Sequence, residues 1–73
     1  MSEHLPTVTA KVMVRVLLRC GFVELRQKGS HRIFRKGTRR VIVPMHSGNL
    51  KPGTLKAILE ASGLTIEELR QHL

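Results

Sequence analysis

The chain has 73 residues and carries thirteen Lys and Arg against five Asp and Glu, a net charge of +8. That length allows one domain, read here as residues 1–73, with a thin core that buries only about 60% of the unfolded surface. The charge favours a polyanionic partner, nucleic acid ahead of an acidic protein or an anionic membrane, and the lack of Trp and Tyr argues against a base-stacking platform.

Residues 1–6 read as a frayed leader. Thr7 or Thr9 can cap a first helix by accepting a bond from a free N–H. Met13, Val16, Leu17 and Cys20 fall at i, i+3, i+4 and i+7, one face of that helix. Lys11, Arg15 and Arg19 recur every four residues elsewhere on it and read as a solvated row. The longest apolar run here is Val16-Leu17-Leu18, far short of a membrane span or a secretory signal. Cys20 is the only cysteine, reads as core, and fits a reducing cytoplasm. Gly21 stops the helix.

Phe22 to Gln27 reads as a strand, with Val23 and Leu25 on one side and Glu24 and Arg26 on the other. Lys28-Gly29-Ser30 is a turn, and His31 to Arg35 is the second strand. Lys36-Gly37-Thr38 is a hairpin turn. Arg39 to Val43 is the third strand, stopped by Pro44. Short turns make the sheet an antiparallel meander. Phe34, Val41 and Val43 suit its inner face. Period two then sends His31, Ile33 and Arg35 outward, together with Arg26, Arg40 and Ile42. Outward charges on strands also serve simply to block edge-to-edge aggregation.

Met45-His46-Ser47-Gly48-Asn49 is a loop by composition. Pro52 suits the first turn of a helix with a stripe of Leu55, Ile58, Leu59 and Ser62, closed by Gly63. Thr65-Ile66-Glu67-Glu68 is a capping box for a last short helix, Ile66 to His72. The result is an α+β domain of order α-β-β-β-α(-α) with a three-stranded antiparallel sheet. That order resembles the double-stranded-RNA-binding domain.

Position alone leaves His31 as readily a polar residue at a strand head as a reactive one. Gly29 is most simply a turn glycine, although its missing side chain also leaves room for a phosphate. Ser30 reads as a turn residue, since no base-and-orienter set accompanies it as a nucleophile. His46 is either a loop residue or a second proton-transfer or phosphate group. Lys28 and Lys51 are phosphate contacts or solvated surface. His4, His31, His46 and His72 are scattered without carboxylates at ligand spacing, so no metal or cofactor is expected.

Several blocks resemble the HicA-type (YcfA-like) toxins of bacterial and archaeal type II toxin–antitoxin systems. They are Gly21-Phe22, Arg26-Gln27-Lys28-Gly29-Ser30-His31, Phe34, Val41-Ile42-Val43-Pro44-Met45-His46, Lys51-Pro52-Gly53-Thr54-Leu55, Ile58-Leu59 and Gly63-Leu64. The resemblance runs from about Lys11 to Leu69, and its most specific part is Gly29-Ser30-His31 followed by Val43-Pro44-x-His46 and Gly53-Thr54-Leu55. It implies a double-stranded-RNA-binding-like fold and a metal-independent, ribosome-independent mRNA interferase, an endoribonuclease acting in the cytoplasm. The family's catalytic histidine falls at His31. The implied partner is a HicB-like antitoxin that covers the site, with DNA reached only through that antitoxin. RNA-contacting positions are then expected at Arg26, Lys28, Gly29, Ser30, Arg35, Arg40, His46 and Lys51. A non-catalytic RNA-binding module on the same scaffold is the alternative.

Overall fold

Thr9 opens the first helix: its hydroxyl accepts the Val12 N–H at 3.2 Å. The computed structural model describes residues 5–73 and places α1 at Ala10–Arg19. Ala10, Met13, Val14, Val16 and Leu17 form its buried face, while Lys11, Arg15 and Arg19 are exposed. Gly21 follows with φ 96°, and the Phe22 N–H donates back to the Leu17 carbonyl at 3.0 Å.

Three strands follow, β1 (Val23–Lys28), β2 (His31–Lys36) and β3 (Arg39–Pro44). They pair in sequence order as an antiparallel sheet with β2 in the centre. Both connections are two-residue loops, Gly29-Ser30 and Gly37-Thr38. Each glycine has φ 60° at the first central position and the residue after it does not have positive φ. That is the type II′ pattern, whose twist matches the flanking strands. Phe34, Val41 and Val43 are fully buried on the inner face.

Both longer helices cover that inner face. α2 (Pro52–Ser62) lies mainly against β3, and α1 lies against β3 and β1. Pro52 takes the first position of α2, where its missing N–H is no loss. Leu55, Ile58, Leu59 and Ser62 are its buried stripe, and Gly63 closes it in the left-handed region at φ 76°. The buried Ser62 hydroxyl donates to the Leu59 carbonyl at 3.0 Å and accepts the Leu64 N–H at 3.2 Å. Both halves of the Thr65–Glu68 capping box are formed at the start of α3 (Ile66–Gln71). The backbone hydrogen bond and hydroxyl of Thr65 hold the Glu68 carboxyl below its ordinary range. Leu69 carries α3 into the core, and the Cys20 thiol lies 3.5 Å from His72 Nε2.

The structure corrects the sequence reading in several places, strand ends among them: Lys36 belongs to β2 and not to the turn, and Pro44 is the last residue of β3 and does not stop the strand before it. Residues 1–4 lie outside the described part, but Leu5 and Pro6 are half-buried and Leu5 packs on the core, so these two are no frayed leader. Phe22 is buried ahead of the strand instead of starting it, and β1 extends through Lys28. Most important, β1 does not alternate simply. Its register shifts between Glu24 and Arg26, so Glu24 pairs with Phe34 while Arg26 pairs with the next residue back, Ile33. One extra residue, Leu25, is inserted as a bulge. Glu24 and Arg26 therefore belong to opposite faces. Val23 and Leu25 are 59% and 51% exposed and contribute nothing to the core.

Candidate nucleic-acid interface

The outer sheet face is built from three cross-strand rows. Lys28, His31 and Pro44 form the first, Arg26, Ile33 and Ile42 the second, and Val23, Arg35 and Arg40 the third. The expected set of His31, Ile33, Arg35, Arg26, Arg40 and Ile42 is thus assembled on one face. No position in these rows is a carboxylate. Ile33 stands at the centre between Arg26 and Ile42 and is only 5% exposed, yet it is separate from the main core. Ile42 is 48% exposed. The face is therefore a small apolar floor ringed by cations.

His31 is exposed at the head of β2. Lys28 pairs with it across the two-residue turn, and Pro44 pairs with it from the other side. An added Cβ on Gly29 would meet nothing within 4 Å, so its positive φ accounts for the glycine. The Ser30 carbonyl accepts the Met45 N–H at 2.6 Å. That bond ties the loop after β3 to the turn before β2 and brings the backbone of the His46 segment alongside it. The loop's far end is tied down as well: Asn49 bridges to Thr9, and the Leu50 N–H donates to the Val8 carbonyl at 2.8 Å. His46, Ser47, Asn49, Lys51 and Thr54 line a hollow of about 430 Å³ over the start of α2. Lys51 is exposed there as the N-cap residue and makes no capping side-chain bond.

The structure places the expected residues at two ends of the molecule. Lys28, Gly29, Ser30, His31, His46 and Lys51 gather at the end where β2 begins. Arg35 and Arg40 lie opposite one another at the far end of the outer face, with Arg26 in the row between. Arg35 Nε donates to the Gly37 carbonyl at 2.9 Å. The side chains of Arg26, Lys28 and Arg40 make no hydrogen bond or ion pair with any described residue.

Sequence reasoning missed what the remaining sheet cations do. Arg32 faces inward, makes a bidentate ion pair with Glu24, including an Nε bond of 2.9 Å, and lies 5.7 Å from the Phe34 ring centre. This hydrogen bonding holds the Glu24 carboxyl below its ordinary range and raises the Arg32 guanidinium. Lys36 Nζ donates to the Cys20 carbonyl at 2.5 Å, at the end of α1, and stands over the Phe22 ring. Arg39 Nη1 donates to the Ala61 carbonyl at 3.4 Å, at the end of α2. Period two assigns Arg32, Lys36 and Arg39 to the inner side, and that was the available signal.

Among the described residues no three His, Cys, Asp or Glu side chains converge as metal ligands, and no helix is long and apolar enough to cross a membrane. Fold and face define a class of protein: a small α+β domain with the double-stranded-RNA-binding arrangement and a carboxylate-free cationic sheet surface. The family described as HicA toxin of bacterial toxin-antitoxin matches residues 10–64, most of the chain, and the chain belongs to that family. It is the toxin side of such a system, whose counterpart is an antitoxin. No curated protein matches it.

Proposed function

We propose that the protein is a metal-independent endoribonuclease, an mRNA interferase, with His31 as its catalytic group. The observation that carries this is an exposed imidazole on a sheet face that holds cations and no carboxylate. RNA brings its own nucleophile. The 2′-hydroxyl loses its proton and attacks the neighbouring phosphorus. An O2′–P bond forms, the P–O5′ bond breaks, and the 5′-oxygen takes up a proton. An imidazole, ordinarily titrating near pH 6.5, can give or take a proton at cellular pH. His31 performs one of these transfers. Lys28, paired with it across the turn, stabilises charge developing on the phosphorane. Arg26, Arg35, Arg40, His46 and Lys51 hold the flanking backbone, and the Gly29-Ser30 turn gives the strand room to approach.

A HicB-like antitoxin covering His31 in the cytoplasm is the corresponding means of inactivation, with DNA reached only through it. The +8 charge favours an acidic partner, whose association rate then falls as salt is added. Expression of the wild-type chain should arrest growth and degrade mRNA. His31→Ala should do neither while remaining folded, because exposed substitutions cost little stability. A folded His31→Ala protein of undiminished toxicity would remove the catalytic assignment and leave RNA binding alone.

A further inference from the structure

The end of the outer face farthest from His31 holds two arginines directly opposite one another, Arg35 on β2 and Arg40 on β3. Like charges in that relation destabilise a sheet. Among the described residues no outer-face carboxylate offsets them. Glu24 lies on the other side of the sheet and is bound to Arg32, and the remaining described glutamates are on α2 and α3. Protection of a sheet edge explains neither feature fully, because Arg35 is on the central strand. The Gly37 carbonyl fixes the Arg35 guanidinium, while Arg40 is uncommitted.

The bulge in β1 adds a second observation at the same place. Its extra residue, Leu25, opens with Arg35, Thr38, Arg39 and Arg40 onto a depression of about 380 Å³. Bulges commonly re-aim a side chain beside a site. An exposed leucine beside opposed guanidiniums offers an apolar rest next to two forks that match a phosphate. Arg35 lies four residues along β2 from His31, about 13 Å at the ordinary rise of a strand. A linear polyanion is the ligand that meets cations at both ends of one flat face.

We propose that Arg35 and Arg40 clamp one backbone phosphate of an RNA strand lying across the outer face, with the adjoining nucleoside resting on Leu25, a few nucleotides from the phosphate at His31. This rests on the nuclease reading only for the position of the scissile phosphate. The clamp sets a minimum length for tight binding and fixes the strand's direction of travel past His31.

The test is equilibrium binding of 2′-O-methyl oligouridylates, which cannot be cleaved, lengthened one nucleotide at a time from the dinucleotide. Wild-type affinity should rise by about tenfold or more once the strand spans both ends of the face. The double variant Arg35→Gln/Arg40→Gln should lose that step, bind the shortest strands as wild type does, and show a salt slope reduced by about one. Leu25→Ser should shrink the step with the salt slope unchanged. Arg15→Gln, on the exposed side of α1, should change neither. A step that survives in the double variant overturns the clamp. So does an equal loss in Arg15→Gln, which would show a general charge effect. Intact RNA steps with weakened antitoxin binding would assign the pair to the protein partner and overturn it as well. Cleavage is scored separately with unmodified RNA. A protein that keeps the step but cuts nothing retains the clamp and loses the nuclease reading, and one that cuts without the step loses the clamp alone.

Discussion

The two faces of the sheet use the same residue types in opposite ways. Lys36 and Arg39 pair with each other at the inner end of the β2–β3 hairpin, and each donates to a carbonyl at the end of a helix, α1 and α2 respectively. Cations suit those negative helix ends. Arg32, also inward, is neutralised by Glu24. One residue along the chain in each case, Arg35, Arg40 and His31 face outward with no acidic neighbour in their rows. The net charge of +8 therefore overstates one role and hides another. Part of the basic set holds helices to the sheet, while the side chains of Arg26, Lys28 and Arg40 on the outer face make no bond with any described residue. Alternation along two strands separates them.

Breaking the inner face should show the largest effect on stability. Phe34→Ala removes the largest fully buried side chain and should cost about 3–5 kcal/mol, enough to leave a domain of this size largely unfolded in a denaturant titration. Gly63→Ala should cost about 1–2 kcal/mol, because φ 76° strains any other residue and the added carbon would sit 2.7 Å from the Arg39 guanidinium carbon. The guanidinium can move, but then its bond to the Ala61 carbonyl is lost.

Exchanging cations sharpens the contrast between faces. Lys36→Met and Arg39→Met should each cost about 1 kcal/mol through a lost helix-end bond, with RNA affinity little changed. Arg40→Gln should leave the melting temperature unchanged or raise it slightly, since it relieves repulsion with Arg35, and should weaken RNA binding. If Lys36→Met and Arg40→Gln behaved alike in both measurements, the division of labour between faces would be wrong. The smallest effect belongs to the capping box. The Glu68 carboxyl titrates below its ordinary range in the folded chain, so its contribution is present above the unfolded value and is lost as pH falls through the folded one. Glu68→Gln should flatten that part of the acid limb of the stability profile by lowering stability slightly at neutral pH, with little change at pH below the folded value.

Features that depend on local chemistry were legible in the sequence. Gly29 and Gly37 announced two tight hairpins, Pro52 and Gly63 bounded α2, and the stripe Leu55, Ile58, Leu59 and Ser62 is the one found buried. The face shared by His31, Arg35 and Arg40 was legible too, because period two on β2 and β3 has no interruption. The bulge at Leu25 was not. Val23 to Gln27 reads as plain alternation, and an inserted residue shows only when its partner strand is in place. Nor could the sequence tell Lys36 and Arg39 from their outward neighbours by purpose, since their acceptors are helix ends distant in the chain. Leu5 looked like tail because its contacts are tertiary.

The central claim is that His31 acts on the transition state while the cations around it hold the strand. Single-turnover cleavage and equilibrium binding of one RNA, measured side by side for wild type and His31→Ala, test it most directly. Affinity should be nearly unchanged and the cleavage rate should fall by about a hundredfold or more. A folded His31→Ala protein that cleaves at the wild-type rate, or one whose loss of affinity accounts for its whole loss of rate, would contradict it.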